Sequence, residues 1–387
     1  MGKTNFEILE KAKIFEKEGF YSLLILKNKE SKHSPIIQGE LFWFEDLENY
    51  YNKEFSKIIS KNIDISLEKG SKIFEDSSIE FLKAIDEKTN NLDNNKKRLF
   101  LFTPQRIQYS LERLKHYTAT SPKDFQKYIL LTNYEMHLEV IKNKFHEDKE
   151  FQIIESNRPC QMKTLHIKSE KTWKIWFTII NIGIWPSNAK NITDHLAVLR
   201  PDFWIMVGHC GWLRNHQSIW EFVIADKFVT DCWILRRIQR EKNPLPILPT
   251  FNLNILLNNI LEKNNALFRM GTVFTTEDRN WELSYQEYKN YFDEDKSIAI
   301  DMESAIISAQ WFRYKIPNTT LLMISDKPFH GALKKSKESQ EFYKKSKQIH
   351  IDIVLNLLKE IENNRDKYLE HNSFKALLWA KDDSVFR

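Results

Sequence analysis

From about residue 163 onward, short β-branched runs alternate with helical stretches, which restricts this part of the chain to an α/β sheet with helices on its faces. Residues 178–183 read as a buried strand, 187–199 as a helix, 203–207 as a strand and 253–261 as a helix. Further on, the pattern predicts a strand at 297–300, a helix at 303–314, a strand at 319–324 and a long helix at 338–361. Sheets of this kind bind ligands where strands end and helices begin. The strand ends are therefore where chemistry is sought.

Upstream, residues 4 to about 150 read as a smaller, mainly helical α+β lobe. Strands are predicted at 21–26 and 99–102, helices at 47–60 and 105–117, and a polar loop at 86–97. A length of 387 residues suits two domains. The expected layout is an N-terminal lobe over 1–155, a three-layer α/β/α sheet domain over 160–365 and a tail over 366–387. Apolar residues at 42% allow a core to be buried. A net charge of +5, with lysines interleaved among Asp and Glu, does not favour nucleic-acid binding. Three cysteines without a CxxC pair, and no HExxH among 11 histidines, suggest neither a disulfide framework nor a metal site. No signal core is found at the N-terminus and no apolar run nears the roughly 18 residues of a membrane span, so a cytoplasmic protein is expected.

Four motifs fall at strand ends. Asn181-Ile-Gly-Ile-Trp-Pro-Ser-Asn-Ala-Lys190 runs a strand into a helix with Pro186 in its first turn, which leaves free N–H groups for an anion. Val207-Gly-His-Cys-Gly-Trp-Leu-Arg214 offers a second anion loop, with an arginine suited to bidentate contact. In Ile300-Asp-Met-Glu-Ser304, Glu303 could accept hydrogen bonds from vicinal hydroxyls and Met302 could pack under a sugar; alternatively the two acids only complement a helix dipole. Ile324-Ser-Asp-Lys-Pro-Phe-His-Gly331 places a carboxyl that could pass a proton to a leaving group, or merely caps a turn. No single one of these decides a function.

In this order and spacing the runs NIGxxPSNAKxxxDHLAVLRPD, GHCGxLR, GTVxTTEDRNWEL, AIDMESAxxxAQ and SDKPxHG resemble the AMP nucleosidase family of the purine nucleoside phosphorylase-like superfamily. The resemblance runs from about residue 107 to 365 and takes in Arg113-Leu-Lys-His-Tyr-Thr118 and Leu130-Leu-Thr-Asn-Tyr134. It implies hydrolysis of the N-glycosidic bond of AMP to adenine and ribose 5-phosphate. Asp326 would act as the acid at the base, and Glu303 would hold the ribose hydroxyls above Met302. Ser187, Asn188, Gly208, Gly211 and Arg214 would correspond to the phosphate-binding elements, and Thr275 and Thr276 would lie among the substrate-binding residues. Arg113, Lys115 and His116 are candidate partners of the 5'-phosphate. The resemblance further implies no required cofactor or metal, MgATP as an allosteric activator, phosphate as an inhibitor, and a homo-oligomer such as a hexamer. A phosphate-dependent phosphorylase and a catalytically dead nucleotide-binding relative stay open as alternatives.

Glycine, expected at about 7% of residues, occurs only 9 times, against 11 tryptophans. Six tryptophans (Trp173, Trp176, Trp185, Trp212, Trp220 and Trp311) stand where the family pattern carries glycine, whereas Trp204 and Trp281 stand where relatives also have Trp. An indole before Pro186 should obstruct an anion site that glycine would leave open. Either the chain is a degenerate relative, or these positions are glycine in the native protein because its lineage reads the codon UGA as glycine.

Overall fold

The computed structural model describes residues 2–18, 20–28, 36–42, 47–48, 63–72, 97–98, 104–146, 148, 150–169, 176–199, 201–215, 218–235, 247–314, 316–328 and 336–369. The expected strand at 99–102, the loop at 86–97 apart from its last residue, most of the helix at 47–60, Trp173, and the tail from 370 lie outside these residues. Helix α1 (Gly2–Lys17) precedes four strands, β1 (Phe20–Asn28), β2 (Ile36–Phe42), β3 (Ile63–Lys72) and β4 (Lys97–Arg98). They pair antiparallel in the order β3-β1-β2-β4.

The remainder builds one nine-stranded mixed sheet. After α2 (Pro104–Thr118) come β5 (Tyr128–Thr132), α3 (Glu135–His146), β6 (Phe151–Glu155), β7 (Thr164–Ser169), β8 (Phe177–Asn181) and α4 (Pro186–Leu196). Then follow β9 (Phe203–Trp212), β10 (Phe222–Thr230), α5 (Phe251–Lys263), β11 (Phe268–Thr275), α6 (Tyr285–Asp295) and β12 (Ala299–Asp301). Helix α7 (Ser304–Tyr314), β13 (Asn318–Asp326), α8 (Ser336–Asn363) and α9 (Arg365–Leu369) complete the described residues. The strand order is β12-β11-β10-β13-β9-β5-β8-β7-β6, and an additional β12–β9 pairing joins five of these strands into a closed ring. The α/β expectation holds, with helices packed on both faces.

Alternation along β9 shows how the two faces are filled. Trp204, Met206, Cys210 and Trp212 belong to the core shared with Ala189 and Ile192 of α4 and Ile306 of α7. Phe203, Ile205 and Val207 belong to the core shared with Leu138 of α3 and Val354 of α8. The helices that carry the motifs, α4 and α7, are locked together by Asp194. Its carboxylate accepts from Lys190 Nζ (2.5 Å), Gln310 Nε2 (2.6 Å), Tyr314 Oη (2.5 Å) and Arg313 Nη1 (3.2 Å). Burial alone would raise this carboxyl, but Lys190 and Arg313 hold it below the usual range.

Two expectations are corrected. The sheet begins at Tyr128, so the boundary expected near 155 falls inside the sheet domain: β5 is central, flanked by β8 and β9. The run Gly208-His-Cys-Gly-Trp212 reads as a loop because of its two glycines, yet it continues β9, since both of its edges are paired. Leu322, Met323 and Ile324 lie beside Gly208, His209 and Cys210, and Ile300 and Ala299 oppose Gly211 and Trp212.

Candidate active site

The closed ring of strands brings four strand ends together, those of β9, β11, β12 and β13. Asp326 of β13 is in register with Gly211 of β9, Ile300 of β12 with the same Gly211, and Thr275 of β11 with Asp301 of β12. A cleft opens at this junction, lined by Asp326, Met302, Gly211, Ile300, Asp301 and Thr276, with Arg279, Trp281 and Glu282 also contributing to its wall. Asp326 is half-buried, and its Oδ1 accepts a 2.5 Å hydrogen bond from Ser325 Oγ. A side chain at Gly211 would meet Ile300 at 3.1 Å and Pro328 at 3.6 Å, so the glycine keeps this wall of the cleft open.

Glu303 is buried one residue beyond Met302 and immediately before α7. Its two oxygens are held from different elements: Oε1 accepts from the Trp185 backbone N–H (2.9 Å) at the start of α4, and Oε2 from Asn133 Nδ2 (3.2 Å) after β5. Each oxygen keeps a lone pair for a further donor. Burial, reinforced by the charge of Asp301, pushes the Glu303 carboxyl above its ordinary range. Asp301 caps α7. Its Oδ2 accepts from the N–H of Ser304 (2.9 Å), and its Oδ1 from Thr275 Oγ1 (2.5 Å). Thr275 Oγ1 also accepts the Ala305 N–H at 3.0 Å, so the Thr275 hydroxyl builds the start of α7 and does not face the cleft. The Thr276 hydroxyl is bound to Asp231 Oδ2 (3.2 Å) and Tyr288 Oη (3.1 Å).

Residues 137–359 match the family model described as "Phosphorylase superfamily". The chain belongs to the phosphorylase superfamily. It is 34% identical over 300 residues to the AMP nucleosidase of Escherichia coli K12, a match covering 69% of this chain and 61% of that protein. The chain thus spans about three fifths of the length of the curated relatives it matches. Among solved structures it is similar to AMP nucleosidase from Bacteroides thetaiotaomicron VPI-5482, with TM-score 0.53 and 24% identity, covering 67% of this chain and 98% of that one. It also resembles the 5'-methylthioadenosine/S-adenosylhomocysteine nucleosidase of Campylobacter jejuni, with TM-score 0.50 and 17% identity, covering 60% and 99% respectively.

In this member of the phosphorylase superfamily, Arg214 does not point a free guanidinium at an anion. Nε donates to Ser297 O (2.8 Å), Nη2 to Phe292 O (2.7 Å) and Nη1 to Asp293 Oδ1 (3.2 Å). The arginine caps the C-terminus of α6, where bare carbonyls attract a cation. The expected phosphate grip is corrected accordingly. Arg214→Ala is expected to lower stability by roughly 1.5–3 kcal/mol, the range for hydrogen bonds to charged groups. Denaturant midpoints will read this loss.

At the N-terminus of α4, Pro186 occupies the first helical position, Ser187 is exposed and Asn188 is half-buried. Gly208 lies inside β9, where a Cβ would come within 2.9 Å of Met206 Cε and 3.6 Å of Asn133 Oδ1. Arg113, Lys115 and His116 lie on α2, which packs against α4. Arg113 Nη2 donates to Tyr117 Oη at 2.5 Å and its guanidinium lies over the same ring, while Lys115 and His116 are exposed. Asn133, Asp301, Arg279 and Glu282 are site residues that the motifs did not single out. All four fall inside the runs that carried the resemblance.

Proposed function

We propose that this chain hydrolyses the N-glycosidic bond of AMP. The observation that carries this reading is that Asp326 and Met302 line one cleft at the strand-end junction, with the buried carboxyl of Glu303 following Met302 immediately in the chain. The 34% identity to an AMP nucleosidase supports it as well. Departure of adenine from ribose leaves positive charge on the sugar and negative charge on the base. In this mechanism Asp326 donates a proton or hydrogen bond to the purine at N7, and the two Glu303 oxygens accept the ribose hydroxyls while Met302 packs under the ring. Water attacks the anomeric carbon. The exposed Ser187 at the start of α4 and the exposed Arg279 at the cleft offer partners for a phosphate group. No cofactor enters these steps, and MgATP activation, phosphate inhibition and self-association into a homo-oligomer belong to the same proposal. No described helix is long and apolar enough to cross a membrane.

We also propose glycine at the six anomalous tryptophan positions in the native protein. Backbone geometry supports this at two of them: Trp185 has φ 131° and Trp220 has φ 92°. Among the described residues, the other positive-φ residues with side chains, Ala119, Asn265 and Lys296, lie at 49–55°, within the small left-handed region that they can enter. Values near 90–130° belong to glycine. Trp212 is different, being a regular, buried β9 residue with no such backbone demand. Both strained tryptophans are exposed, so removing the indoles sacrifices little burial. Trp185→Gly and Trp220→Gly are each expected to relieve about 1–3 kcal/mol of strain, against roughly 0.5–1 kcal/mol of added unfolded-state freedom. Higher urea midpoints in both variants, and no gain for Ala at either site, are the expected results. TGG rather than TGA codons at all six positions would contradict the recoding.

The functional test is adenine release from AMP and from adenosine, each with and without phosphate, using protein translated in its native code. Release from AMP without phosphate is expected. Release from adenosine only when phosphate is present would instead support the phosphorylase reading.

A further inference from the structure

His137, His209 and His350 are far apart in sequence but meet inside the protein, on the face of the sheet opposite α4 and α7. They come from α3, β9 and α8 respectively, and all three are buried, at 0%, 6% and 0% exposure. One ring nitrogen of each lies within 4.8 Å of those of the other two. Ring centroids are 5.7 Å apart for His137–His209, 5.2 Å for His137–His350 and 5.3 Å for His209–His350. An ion about 2.1 Å from an imidazole nitrogen lies roughly 3.2 Å from the ring centre, so three tetrahedrally disposed imidazoles have centroids roughly 5 Å apart. The observed triangle is close to that size. A side-chain shift on the order of 1 Å would bring the three nitrogens to ligand spacing.

The outer nitrogens already have partners. His350 Nε2 donates to Leu321 O at 3.2 Å, which fixes the tautomer and leaves the Nδ1 lone pair facing the cluster. His137 Nδ1 pairs with Thr132 Oγ1 at 2.7 Å, and that oxygen also accepts the Tyr134 N–H at 3.2 Å. With Nδ1–H donating to Thr132, the His137 Nε2 lone pair also points inward. Neither His350 Nδ1 nor His137 Nε2 has a hydrogen-bond partner within the protein. Two buried acceptor nitrogens without a partner are costly unless a donor or a cation meets them. Orienting contacts of this kind, from a carbonyl and a hydroxyl to the far nitrogen, are what metal-bound histidines normally carry.

We infer that His137, His209 and His350 form a structural site for a divalent transition-metal ion of the zinc type, pinning α3, β9 and α8 together. Three neutral imidazoles suit zinc and its neighbours and disfavour calcium or magnesium. Removed from the cleft by the thickness of the sheet, the ion takes no part in glycosidic cleavage.

The test is cobalt titration of the full chain after chelator treatment and gel filtration, read by visible d–d absorption, with zinc as competitor. One equivalent of cobalt with tetrahedral band intensity, displaced by zinc, is expected, together with a fall in Tm on chelation. His137→Gln and His350→Gln should abolish this uptake. Thr132→Val, an isosteric change that removes only the orienting hydroxyl, should weaken it roughly 10- to 100-fold. His146→Gln, an exposed histidine on the same α3 helix, should bind cobalt as the parent does. Two results would overturn the site: a folded parent chain that takes up no cobalt or zinc, or an equivalent of ion that survives His137→Gln and His350→Gln alike.

Discussion

Asp326→Asn is expected to lower the kcat for AMP hydrolysis by roughly 10²- to 10⁴-fold, the usual contribution of a positioned general acid. KM should change little, because the amide keeps the shape of the carboxyl and its contact with Ser325. The loss should be confined to the chemical step. Asp326 ends β13 at the cleft beside Met302, in register with Gly211, where the purine of a ribose seated on Met302 would project. A nucleotide methylated at purine N7 already carries the charge that the acid supplies, so its hydrolysis should be far less sensitive to Asp326→Asn. Equal losses with AMP and the N7-methylated nucleotide would show that Asp326 serves structure and not proton donation. Single-turnover rates on both substrates decide between these outcomes.

Glu303→Ala is expected to reduce kcat/KM by about 10²- to 10³-fold, comparable to removing a preorganised electrostatic contact from a transition state. The same variant should lose its preference for AMP over 2'-deoxy-AMP, since in the proposed mechanism the carboxylate accepts the ribose hydroxyls. The Trp185 N–H and the Asn133 amide, supplied by α4 and the end of β5, orient both oxygens. Burial and Asp301 push the Glu303 carboxyl upward, so the free enzyme retains its proton to a higher pH than an exposed glutamate does. The sign follows from linkage: hydroxyl donors bind the ionised carboxylate, so AMP affinity should fall as pH is lowered through this raised pKa. In the folded chain alone the raised value favours the native state at low pH. That contribution fades as pH rises from the unfolded glutamate value through the folded one. Glu303→Gln should flatten the pH dependence of AMP binding, as followed by calorimetry, and an unchanged pH profile would place the titrating group elsewhere.

Much of this site was legible because its residues sit in local runs. Asp326 and Glu303 each lie at a strand end marked by neighbours that break the apolar pattern, and the sheet domain was readable from its alternating periods. What escaped depends on partners distant in sequence. Arg214 looked like an anion grip because nothing near it in sequence announces that the C-terminus of α6, some 80 residues later, needs a cap. β5 reads as part of the N-terminal lobe because Tyr128-Ile-Leu-Leu-Thr132 carries no mark of which sheet it joins. His137, His209 and His350 share no spacing motif, and only the stacking of α3 and α8 over β9 unites them. Thr275 lies in a matched run, but its hydroxyl is consumed by Asp301 and the first turn of α7.

In the proposed reaction water, and not phosphate, attacks the anomeric carbon of AMP at the cleft lined by Asp326 and Met302. Hydrolysis in ¹⁸O-labelled water, with mass analysis of the sugar product, tests it most directly. Ribose 5-phosphate carrying one labelled oxygen, formed equally well without phosphate, is the predicted result; an unlabelled sugar bisphosphate formed only when phosphate is supplied would contradict it.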